Sequence, residues 1–177
     1  QFGLSANTLA FNTTFGDATI SSQKINLSGI GAGWTASADA DWLVLTPDTS
    51  GETPTLTVAI DTSKITGWGL FKASISLYDP ASGTYSIITI ELAVDAVRLY
   101  GNYPAIAFNS LDTQQTSIHT IDILTNSENA IAWQASANVN WLTLTPDTAN
   151  NKLTIATIPA NASDNTLSFG EITISAT

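Results

Sequence analysis

Three aspartates in the first half of the chain are the residues best suited to bind a metal ion. Asp39 and Asp41 stand two positions apart, and Asp48 follows in the same stretch. Carboxylate oxygens are the ligands that calcium prefers, so these residues form a candidate calcium site. The D-x-D-x-D-G spacing of an EF-hand is absent. A glycosidase pair is not expected either. Its two carboxyl groups must face each other across a cleft, whereas Asp39 and Asp41 stand two positions apart within one loop.

Three aromatic residues outside the expected core are candidates for binding carbohydrate. Trp68 lies in a glycine-rich stretch, and Tyr78 and Tyr85 flank the turn at Asp79–Gly83. An aromatic face stacks well on the apolar C–H surface of a sugar ring. The structural alternatives are that Trp68 covers the end of a core or a joint between domains, and that Tyr78 and Tyr85 pack as a cross-strand pair.

The sequence carries no recognisable catalytic motif. His119 is the single histidine and there are no cysteines, which excludes a histidine-rich or thiolate metal site. No G-x-S-x-G, P-loop, dinucleotide-binding or H-E-x-x-H pattern occurs. Since His119 shares strand parity with Ile121 and Ile123, we expect a structural residue on the buried face. We therefore predict a non-catalytic chain with no cofactor other than calcium.

The charge of the chain restricts its partners. Five Lys and Arg face fifteen Asp and Glu, for a formal net charge of −10. Binding to nucleic acid or to an anionic membrane surface requires basic patches, and none is visible. The chain also lacks a run of about 18 apolar residues, so we expect no membrane insertion.

A repeated tryptophan motif shows which elements must position these residues. The stretches that begin at Trp34 and Trp133 agree at 11 of 16 positions and lie 99 positions apart. The stretch Phe71–Ile75 also resembles Phe169–Thr173. A period near 100 residues fits tandem sandwich domains. Four tryptophans that recur in register are expected to be core residues: Trp34, Trp42, Trp133 and Trp141.

Asp39 and Asp41 become Asn138 and Asn140 in the second copy of the motif. The exchange of Asp for Asn keeps a side-chain-to-backbone hydrogen bond and loses the charge. Their shared role is therefore expected to be turn formation.

Alternating apolar residues, such as Ile88, Ile90, Leu92 and Val94, predict β-strands with one buried face. We predict an all-β chain of two tandem immunoglobulin-like β-sandwich domains, over residues 1–95 and 96–177. Expected strands in the first domain are 4–11, 24–30, 34–38, 42–46, 55–60, 71–78 and 85–94. Expected strands in the second domain are 105–108, 117–124, 131–136, 141–145, 152–158 and 171–176.

The second domain has no counterpart of the seventh strand of the first. A sandwich without one strand exposes an edge that pairs readily with another chain. Two explanations stay open. Either the chain is cut from a longer protein, or a neighbouring subunit supplies the strand by donor-strand complementation, as in surface fibres.

The tryptophan motif resembles the BACON family of bacterial immunoglobulin-like modules. The resemblance rests on W-x-A-S, on Asp41-Trp42-Leu43 three residues later, and on the following L-T-P-D-T. It implies a sandwich fold, a setting in secreted or surface proteins or phage tails, and an association with carbohydrate. The resulting hypothesis is a non-catalytic extracellular or cell-surface spacer that contacts glycans through Trp68. The alternative is a fibre or adhesin subunit assembled by strand donation.

Overall fold

The computed structural model describes residues 2–50, 53–108, 115–161 and 167–177. The chain divides into two compact units, Gln1–Ala96 (unit one) and Val97–Thr177 (unit two). The division lies one residue from the boundary expected from the sequence. In the described part of the chain, no helix is long and apolar enough to cross a membrane.

Unit one is a sandwich of two four-stranded sheets. One sheet has the strand order β1-β3-β6-β5 and the other the order β2-β8-β7-β4. This is the strand arrangement of immunoglobulin domains, so the predicted all-β, immunoglobulin-like class is confirmed. A 3₁₀-helix, Thr62–Lys64, precedes β7. The strands are β1 (Gly3–Leu4), β2 (Thr8–Thr14), β3 (Gln23–Ser28), β4 (Thr35–Ala38), β5 (Leu43–Asp48), β6 (Thr55–Ile60), β7 (Gly69–Asp79) and β8 (Thr84–Asp95).

The two longest strands of unit one supply seven of its seventeen buried hydrophobic residues. β7 and β8 pair antiparallel along their full length, from Gly69 opposite Val94 to Asp79 opposite Thr84. Their alternate residues are buried between the sheets because the period of a strand is two. The fully buried ones are Ile75, Leu77, Ile88, Ile90 and Leu92.

The strand expected at residues 4–11 is in fact two strands in opposite sheets. β1 pairs with β3, whereas β2 runs parallel to β8, with Leu9 opposite Ile90. Between them Ser5 is tied to β3, because its backbone N–H donates to the Asn26 carbonyl at 3.0 Å and its Oγ accepts from the Asn26 N–H at 2.9 Å. The chain changes sheet immediately after this pair of bonds.

Unit two repeats this framework with fewer strands. Its described residues form a four-stranded sheet, β9-β10-β13-β12, and a two-stranded sheet, β11-β14. A 3₁₀-helix covers Pro159–Asn161. The strands are β9 (Leu99–Gly101), β10 (Ile118–Thr125), β11 (Trp133–Ala137), β12 (Leu142–Asp147), β13 (Lys152–Thr157) and β14 (Ile172–Ala176).

The expected strand at residues 105–108 is wrong, and the first strand of unit two is β9 instead. β9 pairs with β10 as β1 pairs with β3. Asn102 makes the same two bonds as Ser5. Its backbone N–H donates to the Asp122 carbonyl, and its Oδ1 accepts from the Asp122 N–H, both at 3.0 Å. Residues 105–108 therefore correspond to β2, whose partner in unit one is β8.

The strand register also corrects the repeat alignment. Ala38 lies opposite Ile75, and its counterpart Ala137 lies opposite Ile172. Ile75 and Ile172 are thus equivalent, so Phe169 corresponds to Lys72 and not to Phe71. The chain between the tryptophan motif and β14 is two residues shorter than the one that leads to β7.

The two units differ in the size of their cores. Trp34 and Trp42 belong to a large buried cluster in unit one, whereas Trp141 is only partly buried. The buried cluster of unit two, within its described residues, is small: Ile121, Ile123, Trp133, Leu153 and Ile155. The larger core of unit one includes side chains from β2 and β8. The described part of unit two contains no strands that correspond to these two.

Leu77 and Ile174 occupy equivalent positions, but Leu77 is fully buried and Ile174 partly exposed. We expect Leu77→Ala to lower the free energy of unfolding of unit one by about 2–5 kcal/mol. Ile174→Ala should lower that of unit two by less, because its side chain already contacts water. Urea denaturation combined with hydrogen exchange measures each unit separately. Equal losses in both units would contradict this account.

Candidate functional site

Asp39 is a structural residue that holds two strands together. Its Oδ1 accepts a hydrogen bond from the Ser74 N–H at 2.8 Å, and its own N–H donates to the Ser74 carbonyl at 3.1 Å. Asn138 makes the same two bonds with Glu171, at 2.7 and 3.1 Å. The exchange of Asp for Asn thus keeps the hydrogen bond, which crosses from β4 or β11 to the neighbouring strand.

Asp48 is engaged in a local turn. Its Oδ1 accepts from the Oγ of Ser50 at 2.6 Å and from its N–H at 2.9 Å. These bonds, from the side chain and then the backbone of Ser50, lower the pKa of Asp48 against a small desolvation effect, and Lys24 adds to them. Stabilising the charged carboxylate lowers its pKa.

The structure does not assemble the predicted calcium site. Among the described residues, no three carboxylate or imidazole groups converge on a point that could hold a metal ion. Asp39, Asp41 and Asp48 are all described, so these three do not form such a group. Instead, Oδ1 of Asp39 accepts from the Ser74 N–H on the neighbouring strand, and Oδ1 of Asp48 accepts from Ser50 within its own turn.

Tyr78 and Tyr85 form a stacked pair on the outer face of unit one. They lie opposite each other in the β7–β8 register, with ring centroids 4.5 Å apart and planes 30° apart. Tyr78 is partly buried, whereas Tyr85 is 65% exposed. Ile87, two residues further along β8, is 54% exposed on the same face. Together these residues offer an apolar spot beside the hydroxyl of Ser76.

The hairpin that presents this pair is held by Asp79. Its Oδ1 accepts from the Ala81 N–H at 3.0 Å and its Oδ2 from the Ser82 Oγ at 2.6 Å. The bond from Ser82 is the main cause of a lowered pKa at Asp79, with further backbone donors that include Gly31. A Cβ at Gly31 would lie 2.9 Å from Oδ1 and 2.5 Å from the Ala81 Cβ. A glycine is therefore required at position 31, because any side chain there would collide with Asp79 and Ala81.

Trp68 forms a second, separate apolar spot. It is 68% exposed and makes an edge contact with Phe15, at 6.5 Å between ring centroids. Gly69, which follows, has φ +128°, a conformation that side chains rarely adopt. Trp68 and Tyr78 are separated by most of β7, about 33 Å at roughly 3.3 Å per residue. The three predicted carbohydrate-binding residues are thus two spots and not one site.

His119 is exposed, in contrast to the buried position expected from strand parity. Its ring contacts the edge of Phe108 at 5.2 Å between centroids. The equivalent residue in unit one, Gln23, donates from Nε2 to the Ala10 carbonyl at 2.6 Å. Both residues reach the segment that follows the first strand, which is a structural role.

Sequence reasoning missed the exposed apolar residues on the outer face of unit one. Leu70 and Ile87 are both more than half exposed. The sequence did indicate that Ile87 is exposed, because adjacent residues of a strand point to opposite faces and only one of Ile87 and Ile88 can be buried. Leu70 follows Gly69 at the start of β7 and carries no comparable signal.

Comparison with protein families finds one match. The model of the family described as "Viral BACON domain" matches twice, over residues 2–75 and 102–176. The two matches fall in units one and two respectively. A search of curated proteins finds no significant match.

The solved structures that match this chain share little of its sequence. Cadherin-like domains 1 to 4 of zebrafish RET share 10% identity, with a TM-score of 0.42, over 88% of this chain and 43% of that one. An endo-fucoidan hydrolase of glycoside hydrolase family 107 shares 17%, with a TM-score of 0.35, over 96% and 27%. A titin structure of three immunoglobulin domains shares 9%, with a TM-score of 0.40, over 99% and 64%. The chain thus spans less than two thirds of each.

Asp39→Asn should change the free energy of unfolding of unit one by less than about 0.5 kcal/mol, because Asn138 makes the same bond in unit two. Asp39→Ala should lower it by about 1 kcal/mol, through loss of the hydrogen bond to Ser74. Thermal unfolding with and without calcium measures both effects. A rise in Tm with calcium that Asp39→Asn abolishes would show that the carboxylate binds the ion after all.

Proposed function

The chain belongs to the viral BACON domain family, and on that premise we propose that it acts as a non-catalytic spacer built from two sandwich units. A spacer needs a fold that is stable and can be repeated along a chain, and it needs no cleft. Immunoglobulin-like sandwiches meet this need because their cores are self-contained.

The proposal rests on the observation that the residues shared by the two units are structural ones. The repeated contacts are backbone-directed bonds that hold strands together, such as Ser5 with Asn26 and Asn102 with Asp122. The buried tryptophans Trp34 and Trp133 recur as well. By contrast, the equivalent of Tyr78 is Ser175, so the exposed aromatic pair is not repeated. Duplication has preserved the scaffold and not a surface site.

The proposed setting is outside the cell. The description of the family as viral supports a viral protein, whereas the resemblance of the motif by itself also implied a bacterial surface or secreted protein. A formal charge of −10 agrees with exposure to solvent and disfavours contact with nucleic acid or anionic lipid. A spacer in either setting separates a functional domain from the body that carries it.

The spacer proposal predicts that length and fold are what matter. In the protein that carries this chain, replacing residues 1–177 with two immunoglobulin-like domains of equal length and unrelated surface should preserve the activity of the neighbouring domains. Deleting residues 1–177 should reduce that activity. Attachment of the particle or cell to its target is a suitable measurement. A replacement that is as harmful as the deletion would contradict the proposal.

A second function, glycan contact, is favoured by the spot at Tyr85. Tyr78 braces one face of the Tyr85 ring, so the ring is presented without loss of side-chain freedom on binding. The neighbouring Ile87 and the Ser76 hydroxyl supply an apolar contact and a hydrogen-bonding group. A sugar ring with one apolar face and polar edges fits such a surface. Trp68 is a separate candidate at the other end of β7.

Glycan-array binding tests this function. For any polysaccharide that the chain binds at this spot, Tyr85→Ala should weaken binding about tenfold, the equivalent of about 1.4 kcal/mol of lost aromatic contact. Tyr85→Phe keeps the ring and should retain most of the affinity. Tyr103→Ala removes a tyrosine of similar exposure, 59% against 65% for Tyr85, from unit two and serves as the control.

Unchanged binding by Tyr85→Ala would exclude that spot. If Trp68→Ala then weakens binding, the contact lies at the start of β7 instead. The distance between the two spots along β7 ensures that a short oligosaccharide tests only one of them.

A further inference from the structure

The outer face of the four-stranded sheet can be compared position by position between the two units. Both units build this sheet from the same four strands, in the orders β1-β3-β6-β5 and β9-β10-β13-β12. The polar bonds that follow β1 and β9 fix the alignment. Ile121 and Ile123 of β10 are buried. The alternate residues of β10 therefore point to the outer face: Asp122 and Leu124.

An exposed apolar pair lies on this face in unit two. Tyr100 of β9 lies opposite Leu124 of β10, and their exposed fractions are 49% and 41%. The residues at the equivalent positions of unit one are Gly3 and Ser28, which also lie opposite each other. The framework of the sheet therefore does not require an aromatic residue at this place.

A polar network lies beside the apolar pair, on the same face. Asp122 accepts a hydrogen bond at Oδ1 from Lys152 Nζ, at 2.5 Å, and at Oδ2 from Asn102 Nδ2, at 3.2 Å. The side chains of Lys152 and Asp122 are 50% and 47% exposed. In unit one the positions of this ion pair are occupied by Asn26 and Thr55, which carry no charge. The ion pair, like the tyrosine, is specific to unit two.

The network keeps hydrogen-bonding capacity for a ligand. A lysine ammonium has three N–H donors and each carboxylate oxygen has two acceptor positions, whereas the ion pair uses one of each. A hydroxyl group both donates and accepts, so neighbouring hydroxyls of one ligand can bond to Asp122 and Lys152 together. A charged ligand would instead compete with the counter-ion that is already present. The network therefore favours a neutral ligand with several hydroxyl groups.

We propose that unit two binds a neutral sugar on this face. We call the site the Tyr100 face and define it by Tyr100, Asn102, Asp122, Leu124 and Lys152. The tyrosine ring is the platform for the apolar side of a pyranose ring. Asn102 follows Tyr100 by two residues, about 7 Å at roughly 3.3 Å per residue, so the hydroxyls of a stacked sugar reach the polar network.

The Tyr100 face needs little ordering when it binds. The Asp122 carboxylate is held by two side-chain bonds, and one of these also holds the Lys152 ammonium. Side chains that are already fixed lose less entropy on binding. The site lies in the other unit from the spot at Tyr85, and it depends neither on that spot nor on the spacer role.

Nuclear magnetic resonance titration of the 177-residue chain tests the proposal. The probes are hexasaccharides of glucose, xylose and mannose, with a hexasaccharide of galacturonic acid as the anionic probe. At least one neutral probe should bind, with shifts centred on the backbone amides of residues 99–102, 122–125 and 152. The anionic probe should bind about fivefold more weakly than the best neutral one, because the chain carries a net charge of −10 and repels it.

Variants separate the parts of the site. Tyr100→Ala should weaken binding of the best neutral probe about tenfold, and Tyr100→Phe should keep most of the affinity, because the ring supplies the contact. Asp122→Asn keeps the shape of the side chain and removes its charge. It should weaken binding about fivefold, through loss of a charge-assisted hydrogen bond. Tyr85→Ala is the control, because it removes an exposed tyrosine of unit one and should leave these shifts unchanged.

Three results would overturn the proposal. The first is that no neutral probe shifts these amides at millimolar concentration. The second is that Tyr100→Ala or Asp122→Asn leaves the affinity of the best probe unchanged. The third is that a basic peptide, hexalysine, shifts the same amides and binds more tightly than every sugar, because the partner would then be a basic protein segment. Binding that is lost with Tyr85→Ala and kept with Tyr100→Ala would support the spot in unit one instead, so the two glycan proposals fail separately.

Discussion

The structure depends most on the pairing of β8 along both of its edges. β8 is hydrogen-bonded to β7 on one side and to β2 on the other, and its inward residues Ile88, Ile90 and Leu92 are fully buried. One strand thus satisfies the backbone groups of two neighbours and closes the apolar core. Because a strand can contribute to both only when it is central, its presence or absence changes the whole sheet. Unit two, whose described residues contain no counterpart, has a shorter β14 and a smaller core.

The second constraint is the set of short polar bonds made by residues that directly follow β1, β4, β9 and β11. Ser5 and Asn102 tie the first strand to its neighbour at the same position in each unit. Asp39, directly after β4, bonds to Ser74 of β7, and Asn138, directly after β11, bonds to Glu171, directly before β14. These residues bond to backbone atoms, so the side chain can change while the geometry is kept. Asp39, one of the three acidic residues that first suggested calcium, is in this way part of the scaffold.

The proposed glycan contact, in contrast, rests on features that the two units do not share. The spots at Tyr85 and Trp68 lie in unit one, and the equivalent of Tyr78 in unit two is Ser175. A duplicated scaffold can diverge in this manner because an exposed residue such as Tyr85 contributes little to the core and is free to vary. Membership of the viral BACON family agrees with a modular, non-catalytic use of the fold. The partners of these surfaces follow from their local chemistry and not from the fold.

The sequence by itself determined the fold class, the duplication and most of the strands, because burial of alternate apolar residues is a local and periodic signal. Only the tertiary structure decided that residues 4–11 divide between two sheets, that Phe169 corresponds to Lys72, and that Trp68 lies far from Tyr85. It also showed that Asp39 bonds to Ser74 on another strand, whereas Asp48 bonds to Ser50 in its own turn. Such features depend on which strands become neighbours, and that is set by contacts between residues far apart in the chain, which no local pattern specifies.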